Sequence, residues 1–440
     1  MLKGKKVYIE TYGCQMNVAD SEVVRSILDA AGCAACGSPD EADYVLINTC
    51  AIRDNAEQKI HRRLRDLRTA QQQRKFHIGV IGCMAERLKQ QLMLEAENVS
   101  FVVGPDAYRK LADVMERVAK GDKVAETDLS ATETYSDIQP VRLDGNGISA
   151  YISIMRGCQN YCAYCVVPYT RGRERSRDAA SIVHEARTLF DHGYREVTLL
   201  GQNVNSYRSA DVSFAQLMAR VADISPLLRV RFATSHPKDL SDELLATMAA
   251  YPNICKCIHL PLQSGSNRML KLMNRKYTAE WYLDRIDAIR RFMPDCSITT
   301  DVIAGFCGET EADHQATLDI FGRVAYDYAY MFKFSMRPDT SAAKHLNDDV
   351  PDPIKSRRLE EIIKLQGEIA LRNNQRDIGQ RFEVLVEGAS HRSKEQLFGR
   401  NSQNKVIVFD RGNATAGTYA TVEVTSCTAA TLIGRLVEKT

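Results

Sequence analysis

The sequence predicts an α/β protein of three domains. They are an N-terminal parallel α/β domain over residues 3–120, a central partial (β/α)6 barrel over 148–376, and a small all-β barrel over 377–440. Three observations predict this. Apolar strand-like runs alternate with helical spacings up to about residue 120 and again for more than 200 residues from Ile148, which argues parallel sheets. Between them, residues 121–147 lose all periodicity and are rich in Gly, Asp, Thr and Ser, as a linker would be. After Gly379 the pattern changes to short alternating runs separated by Gly, Asn and Asp, the signature of a small barrel or sandwich.

In the first domain KVYIETYG, from Lys6, reads as a buried strand. Asp20 to Ala31 carries Val23, Val24, Ile27 and Leu28 at helical spacing, and Gly32 follows as a stop. YVLINTC from Tyr44, FHIGVIGC from Phe76 and VSFVVG from Val99 are further strands, with a charged helix from Asn55 to Gln73. In the second domain AYISIMRG, EVTLLGQNV, RVRFATSH, CIHLPLQ, SITTDVIAGF and YAYMFKFS are the strand candidates, with helical stretches between them. Six such units suggest an open barrel, with ligands at the C-terminal ends of its strands. Ile354 to Arg376 is an amphipathic helix, and RFEVLVEG, NKVIVFD, YATVEVTSC and TLIGRLVE are the strands of the third domain.

Composition excludes little. The chain has 440 residues, 44% hydrophobic and 26% charged, with a formal net charge of +2. Any basic surface must therefore be local. No apolar run approaches the roughly 18 residues of a membrane span, and the start of the chain reads as a strand and not as a leader. The expected setting is a reducing cytoplasm. There the 13 cysteines are more readily metal ligands or catalytic groups than disulfides.

The strongest motif is RGCQNYCAYC, which places Cys158, Cys162 and Cys165 at C-x3-C-x2-C directly after a strand. Three thiolates can hold three irons of a cubane and leave the fourth open to substrate. Zinc is the alternative, but it wants a fourth ligand or a His, and none is suitably spaced. A second trio, Cys14, Cys50 and Cys83, ends three predicted strands of the first domain, so loops distant in sequence can meet at one sheet edge. Buried structural cysteines remain the alternative there. Cys33 with Cys36, and Cys255 with Cys257, read as packing; Cys296, Cys307 and Cys427 carry no assigned role.

C-x3-C-x2-C opening a β/α barrel resembles the radical S-adenosylmethionine (SAM) superfamily. TYGCQMN, NTCAIR, CVVPYTRGRERSR, HLPLQSGS and NRKY together resemble the tRNA-modifying methylthiotransferases of that superfamily over nearly the whole chain. The resemblance implies an N-terminal cluster domain, a radical SAM barrel and a C-terminal TRAM domain. It implies two 4Fe-4S clusters, on Cys158, Cys162 and Cys165 and on Cys14, Cys50 and Cys83, with SAM as co-substrate. The implied reaction adds a methylthio group to C2 of N6-dimethylallyladenosine beside the tRNA anticodon. One SAM serves as methyl donor and a second as radical source, and the sulfur comes from the auxiliary cluster. It further implies SAM contacts from Tyr164, Gln202, Asn203, Ser235, Gln263, Gly305 and Glu309. Implied partners are the tRNA anticodon stem-loop and an electron donor protein; a monomer is expected because no long exposed apolar helix stands out as an interface.

For RNA, Arg171, Arg173, Arg175 and Arg177 alternate just after the cluster loop, so an extended segment would turn them to one side, toward phosphates. In the last domain His391, Arg392, Lys394, Arg400 and Lys405 flank a β-barrel loop of the kind that binds nucleic acid. Deleting the chain after Gly379 is therefore expected to weaken tRNA binding and spare cluster assembly. Two rival readings are a sister enzyme acting on a ribosomal protein and a non-catalytic RNA binder with a fully ligated cluster or zinc.

Overall fold

The computed structural model describes residues 2–50, 54–143, 146–390 and 392–437. The first domain is a six-stranded, all-parallel sheet in the order Ala34–Ala35, Lys6–Thr11, Tyr44–Thr49, His77–Gly82, Val99–Val103 and Val124–Glu126. Tyr44–Thr49 lies at its centre and is buried along its whole length, as a strand covered on both faces must be. Its residues alternate between two cores. Tyr44 and Leu46 pack with Val24 and Leu28 of the Gln15–Ala30 helix and with Leu111 and Val114 of Leu111–Ala119. Val45 and Ile47 pack with Ile60, Leu64 and Leu67 of the Asp54–Gln73 helix.

The second domain is an arc of six parallel strands in two sheets: Ser149–Ser153, Glu196–Leu200 and Arg229–Ala233, then Cys257–His259, Ser297–Ala304 and Tyr328–Lys333. A parallel bridge from Val230 to Ile254 joins the halves. Among the described residues the first and last strands do not pair, so the barrel is open on one side. The Asp352–Gln375 helix seals the last strands with Ile362 and Ile369.

Residues 121–147 do more than tether. Val124–Glu126 pairs with Val99–Val103 as the sheet's edge strand. Tyr135 is 2% exposed, stacked on Tyr108 and covered by the Arg156 guanidinium. A single buried ring in polar surroundings leaves no periodicity for a sequence reading to detect.

The third domain is a closed barrel in the order Arg381–Ala389, Gln396–Arg400, Val406–Asp410, Leu432–Leu436 and Tyr419–Cys427. The Gln396–Arg400 strand is absent from the sequence reading because Gly399 interrupts its pattern. A Cβ there would sit 2.1 Å from the Leu385 carbonyl oxygen, so only glycine lets the two strands close. This barrel docks where the strands of the arc begin. Arg229 donates to the Arg400 and Glu383 carbonyls, at 2.6 and 2.9 Å, and Arg231 to that of Asn401, at 2.7 Å. Removing it would strip the buried Arg229 of its acceptors and leave Arg231 only Glu196, so a truncation at Gly379 would perturb the arc itself. No described helix is long and apolar enough to cross a membrane.

Candidate functional site: two tricysteine loops at one interface

Lys6–Thr11, Tyr44–Thr49 and His77–Gly82 are adjacent and parallel, so the chain leaves all three at the same edge. Cys14, Cys50 and Cys83 lie there, and Cys83 opens the helix Cys83–Leu88. Close approach depends on Gly13, at φ +134°, where a Cβ would fall 2.6 Å from the Cys50 Cβ. A hydrogen bond with Cys50 brings the Cys14 thiol down to about 6, toward the thiolate an iron ligand requires. Two buried asparagines stitch the loops together. Asn17 accepts from the Cys14 backbone N–H (3.2 Å) and donates to Asn48 Oδ1 (3.1 Å) and the Thr49 carbonyl (3.0 Å). Asn48 donates in return to the Asn17 carbonyl and to Ser21 Oγ, each at 2.8 Å. Thr49 Oγ1 donates to the Ile81 carbonyl, tying in the third strand.

The second set sits on one loop. Gly157, at φ +79°, would place a Cβ 2.0 Å from the Arg173 carbonyl oxygen, and the Cys158 N–H donates to the Gly172 carbonyl (3.1 Å). NRKY lies beneath this loop. Asn274 donates to the Tyr161 carbonyl (2.7 Å), and the buried Arg275 donates from Nη1 to Cys162 Sγ (3.3 Å). Asn160 donates to Cys158 Sγ (3.4 Å). Burial among the neighbouring thiols pushes Cys165 up to about 12. That is a cost which a bound cation centre would remove.

No three of the described His, Cys, Asp and Glu side chains converge as ligands of a single ion. All-thiol trios with guanidinium and amide N–H groups on their sulfurs suit a centre with a separate iron for each thiolate and negative charge on sulfur.

The two sets face each other. Val166, next to Cys165, packs on Cys83, and the helix Val167–Arg171 lies against Cys83–Leu88. Behind them runs a buried ladder of ion pairs. Arg171 and Arg156 both donate to Asp20, at 2.7 and 2.8 Å. Arg175 donates to both oxygens of Asp106 at 2.9 Å. Arg142 joins Glu22 to Glu185, which also takes Arg177. Burial would raise Asp20, but Arg156 and Arg171 outweigh it and hold the carboxyl below its ordinary value.

The structure therefore departs from the phosphate-gripping row expected of the arginines. Arg171 ends a helix, Gly172 turns the chain at φ +69°, and Arg171, Arg175 and Arg177 are buried against carboxylates. Only Arg173 is exposed. Those carboxylates come mostly from distant segments, which a local pattern cannot reveal. In the third domain Arg392 and Lys394 are exposed, Arg400 pairs with Glu387, and Lys405 is tied to Asp377 (2.7 Å) and Asp327 (3.3 Å). His391 lies outside the described residues. On the outer side of the cluster loop two exposed rings, Tyr161 and Tyr169, stand edge-on with centroids 6.4 Å apart.

At the C-terminal ends of the arc's strands lies a group of buried polar atoms without partners among the described residues: Gln202 Oε1, Asn203 Oδ1, Ser235 Oγ and His236 Nε2. Burial, then Arg275 and Lys238, bring His236 down to about 2, so its ring is neutral. Gln263 is buried at φ +68° and Tyr164 stands edge-on to Phe306. Glu309 accepts from the Gly305 N–H (2.8 Å) and from Arg358 (2.9 Å), so its carboxylate is a strut of its own loop. Orphaned acceptors and donors of this kind fit a ligand rich in ammonium, carboxylate and hydroxyl groups, as SAM is.

Comparison with known proteins bears on all three domains. The model described as uncharacterized protein family UPF0004 matches residues 6–104, the Radical SAM superfamily 152–321, and the TRAM domain 375–437. The tRNA-2-methylthio-N(6)-dimethylallyladenosine synthase of Phocaeicola vulgatus is 57% identical over 441 residues, covering 99% of this chain and 96% of that protein. That of Bacteroides thetaiotaomicron is 56% identical over 439 residues, covering 98% and 96%. Among solved structures, the radical SAM methyltransferase TsrM from Kitasatospora setae aligns with a TM-score of 0.59 at 14% identity, over 77% of each chain. The radical SAM enzyme OxsB aligns at 0.56 and 12% identity, over 83% of this chain and 56% of that one. These two likenesses are of fold alone.

Proposed function

The chain belongs to the family of tRNA-2-methylthio-N(6)-dimethylallyladenosine synthases, and from that premise we propose how its own residues carry the reaction. It is a radical SAM tRNA methylthiotransferase that acts at C2 of N6-dimethylallyladenosine. That C–H bond has no useful acidity, so general base catalysis cannot open it. When bound, SAM and the 4Fe-4S clusters supply a carbon radical, a methyl group and sulfur. Cys158, Cys162 and Cys165 hold one cluster with an iron left for SAM, and Cys14, Cys50 and Cys83 hold the other. Gln202, Asn203 and Ser235 orient SAM through their buried polar atoms and the buried Gln263 joins them, Tyr164 flanks its adenine, and Glu309 fixes the Gly305 turn beside it. The buried ion-pair ladder keeps the two sites opposed and excludes water from between them.

The substrate end is the anticodon stem-loop. Arg173, Arg392 and Lys394 are exposed and available to phosphates, and Tyr161 and Tyr169 offer ring faces to bases. A protein donor supplies electrons, and the chain works as a cytoplasmic monomer. The observation that carries this reading is the packing of Val166 on Cys83, which sets the two cysteine trios against each other. The test is anaerobic incubation with SAM, reductant and dimethylallyl-modified tRNA, followed by nucleoside mass spectrometry. A methylthio gain on dimethylallyladenosine is expected. A gain only on threonylcarbamoyl-adenosine, or only on a ribosomal protein, would overturn it.

A further inference from the structure

We propose that Arg171, a residue of the barrel domain, is a positioning residue for the cluster of the other domain, tuning it through a hydrogen bond to Cys83. The inference rests on the reading that Cys14, Cys50 and Cys83 hold a cluster. Arg171 Nε donates to Cys83 Sγ at 3.2 Å across the domain boundary. Its Nη2 is anchored by Asp20 Oδ2 at 2.7 Å. Its Nη1 is buried and has no acceptor among the described residues. A buried guanidinium N–H without an acceptor is costly, and cluster sulfur is the acceptor chemistry this site would provide.

The anchoring is double. Asp20 stands on the helix that follows Cys14, and it also takes Arg156, two residues before Cys158. One carboxylate therefore holds two arginines that flank the barrel's cluster loop, and one of those arginines ends on a sulfur of the opposite site. The barrel's own site is served separately, by Arg275 on Cys162. A guanidinium keeps its charge at every working pH. An N–H donor on a ligating sulfur favours the reduced, more negative state of a cluster and raises its potential. The geometry thus makes the poise of the N-terminal site depend on the docked barrel.

The experiment uses full-length protein carrying Cys158→Ala, Cys162→Ala and Cys165→Ala, so that only the N-terminal site loads. Iron is counted first. No iron would sink the cluster reading beneath this inference, whereas about four irons per chain lets the inference be tested by itself. Redox titration followed by electron paramagnetic resonance then compares this parent with added Arg171→Gln, Arg171→Lys and Arg175→Gln. A lower midpoint in Arg171→Gln, a smaller drop in Arg171→Lys and none in Arg175→Gln are expected. Arg175→Gln removes an interface ion pair without touching sulfur. An unmoved midpoint in Arg171→Gln, or an equal shift in Arg175→Gln, would overturn the proposal. Should Arg171→Gln fail to load iron, the parent grown with 15N-arginine decides: a 15N hyperfine coupling to the reduced cluster is expected, and its absence overturns the proposal.

Discussion

The two cysteine trios reach the same interface by opposite routes. The barrel trio is written into one short loop after one strand, so the backbone that carries one thiol carries all three. The N-terminal trio is assembled by topology: three parallel strands end at one edge, and buried asparagines hold their loops in register. A site of the first kind depends on its loop and on the NRKY segment beneath it. One of the second kind depends on every interaction that keeps three separate strand ends together. Arg171 connects them, since it is carried by the barrel and ends on Cys83.

The largest effect expected of this difference is at Gly13. A methyl group there would meet Cys50 at 2.6 Å with the backbone at φ +134°, so Gly13→Ala should lose N-terminal iron and nearly all product while barrel iron persists. Iron analysis of the variant in the Cys158→Ala/Cys162→Ala/Cys165→Ala background checks it; normal loading would show that the assembled site tolerates what its geometry forbids. Next comes Arg275→Gln. It strips Cys162 of its donor and should cost roughly 10–100-fold in activity, as loss of outer-shell support commonly does. SAM cleavage without tRNA should fall in parallel, whereas N-terminal iron should not change.

A smaller effect is expected at Asn48. Asn48→Ala removes one of the two acceptors of Asn17 Nδ2 and one of the two partners of Ser21 Oγ, which keep Thr49 and Thr11, a cost of about 1–3 kcal/mol. It should lower the urea midpoint of the first domain and slow cluster loading there, with no change in the barrel site. Smallest is the outer surface. Replacing Arg173, Arg392 or Lys394 by Ala should weaken tRNA binding a few-fold and flatten its salt dependence, by about one unit of slope for each phosphate no longer neutralised. Arg177→Ala, which removes a buried partner of Glu185, should cost stability without flattening that slope.

The same contrast governs what could be read from sequence. Cys158, Cys162 and Cys165 are legible because spacing within one loop is itself geometry. Cys14, Cys50 and Cys83 are legible one step later, once three strands are seen to end alike. The strand order of the arc follows from six repeated β/α units. What stays hidden is pairing between distant segments. Nothing near Arg171 or Arg175 announces Asp20 or Asp106, so an alternating basic row looks like a phosphate grip and proves, apart from Arg173, to be an internal seam. Tyr135 vanishes into a polar stretch for the same reason. The resemblance carried by Asn17, Asn48 and Arg275 marks their motifs as meaningful, but their roles emerge only when the loops they bind are seen together.

The central claim is that one chain holds two clusters, one on each trio, each able to load without the other. It is tested most directly by counting iron and sulfide per chain after anaerobic reconstitution of wild type and of two reciprocal variants. These replace Cys14, Cys50 and Cys83, or Cys158, Cys162 and Cys165, by Ala. The account predicts about eight irons in wild type and about four in each variant, with SAM cleavage surviving only where the barrel trio is intact. Four irons in wild type and none in the barrel variant would contradict it, and would leave the N-terminal cysteines as packing.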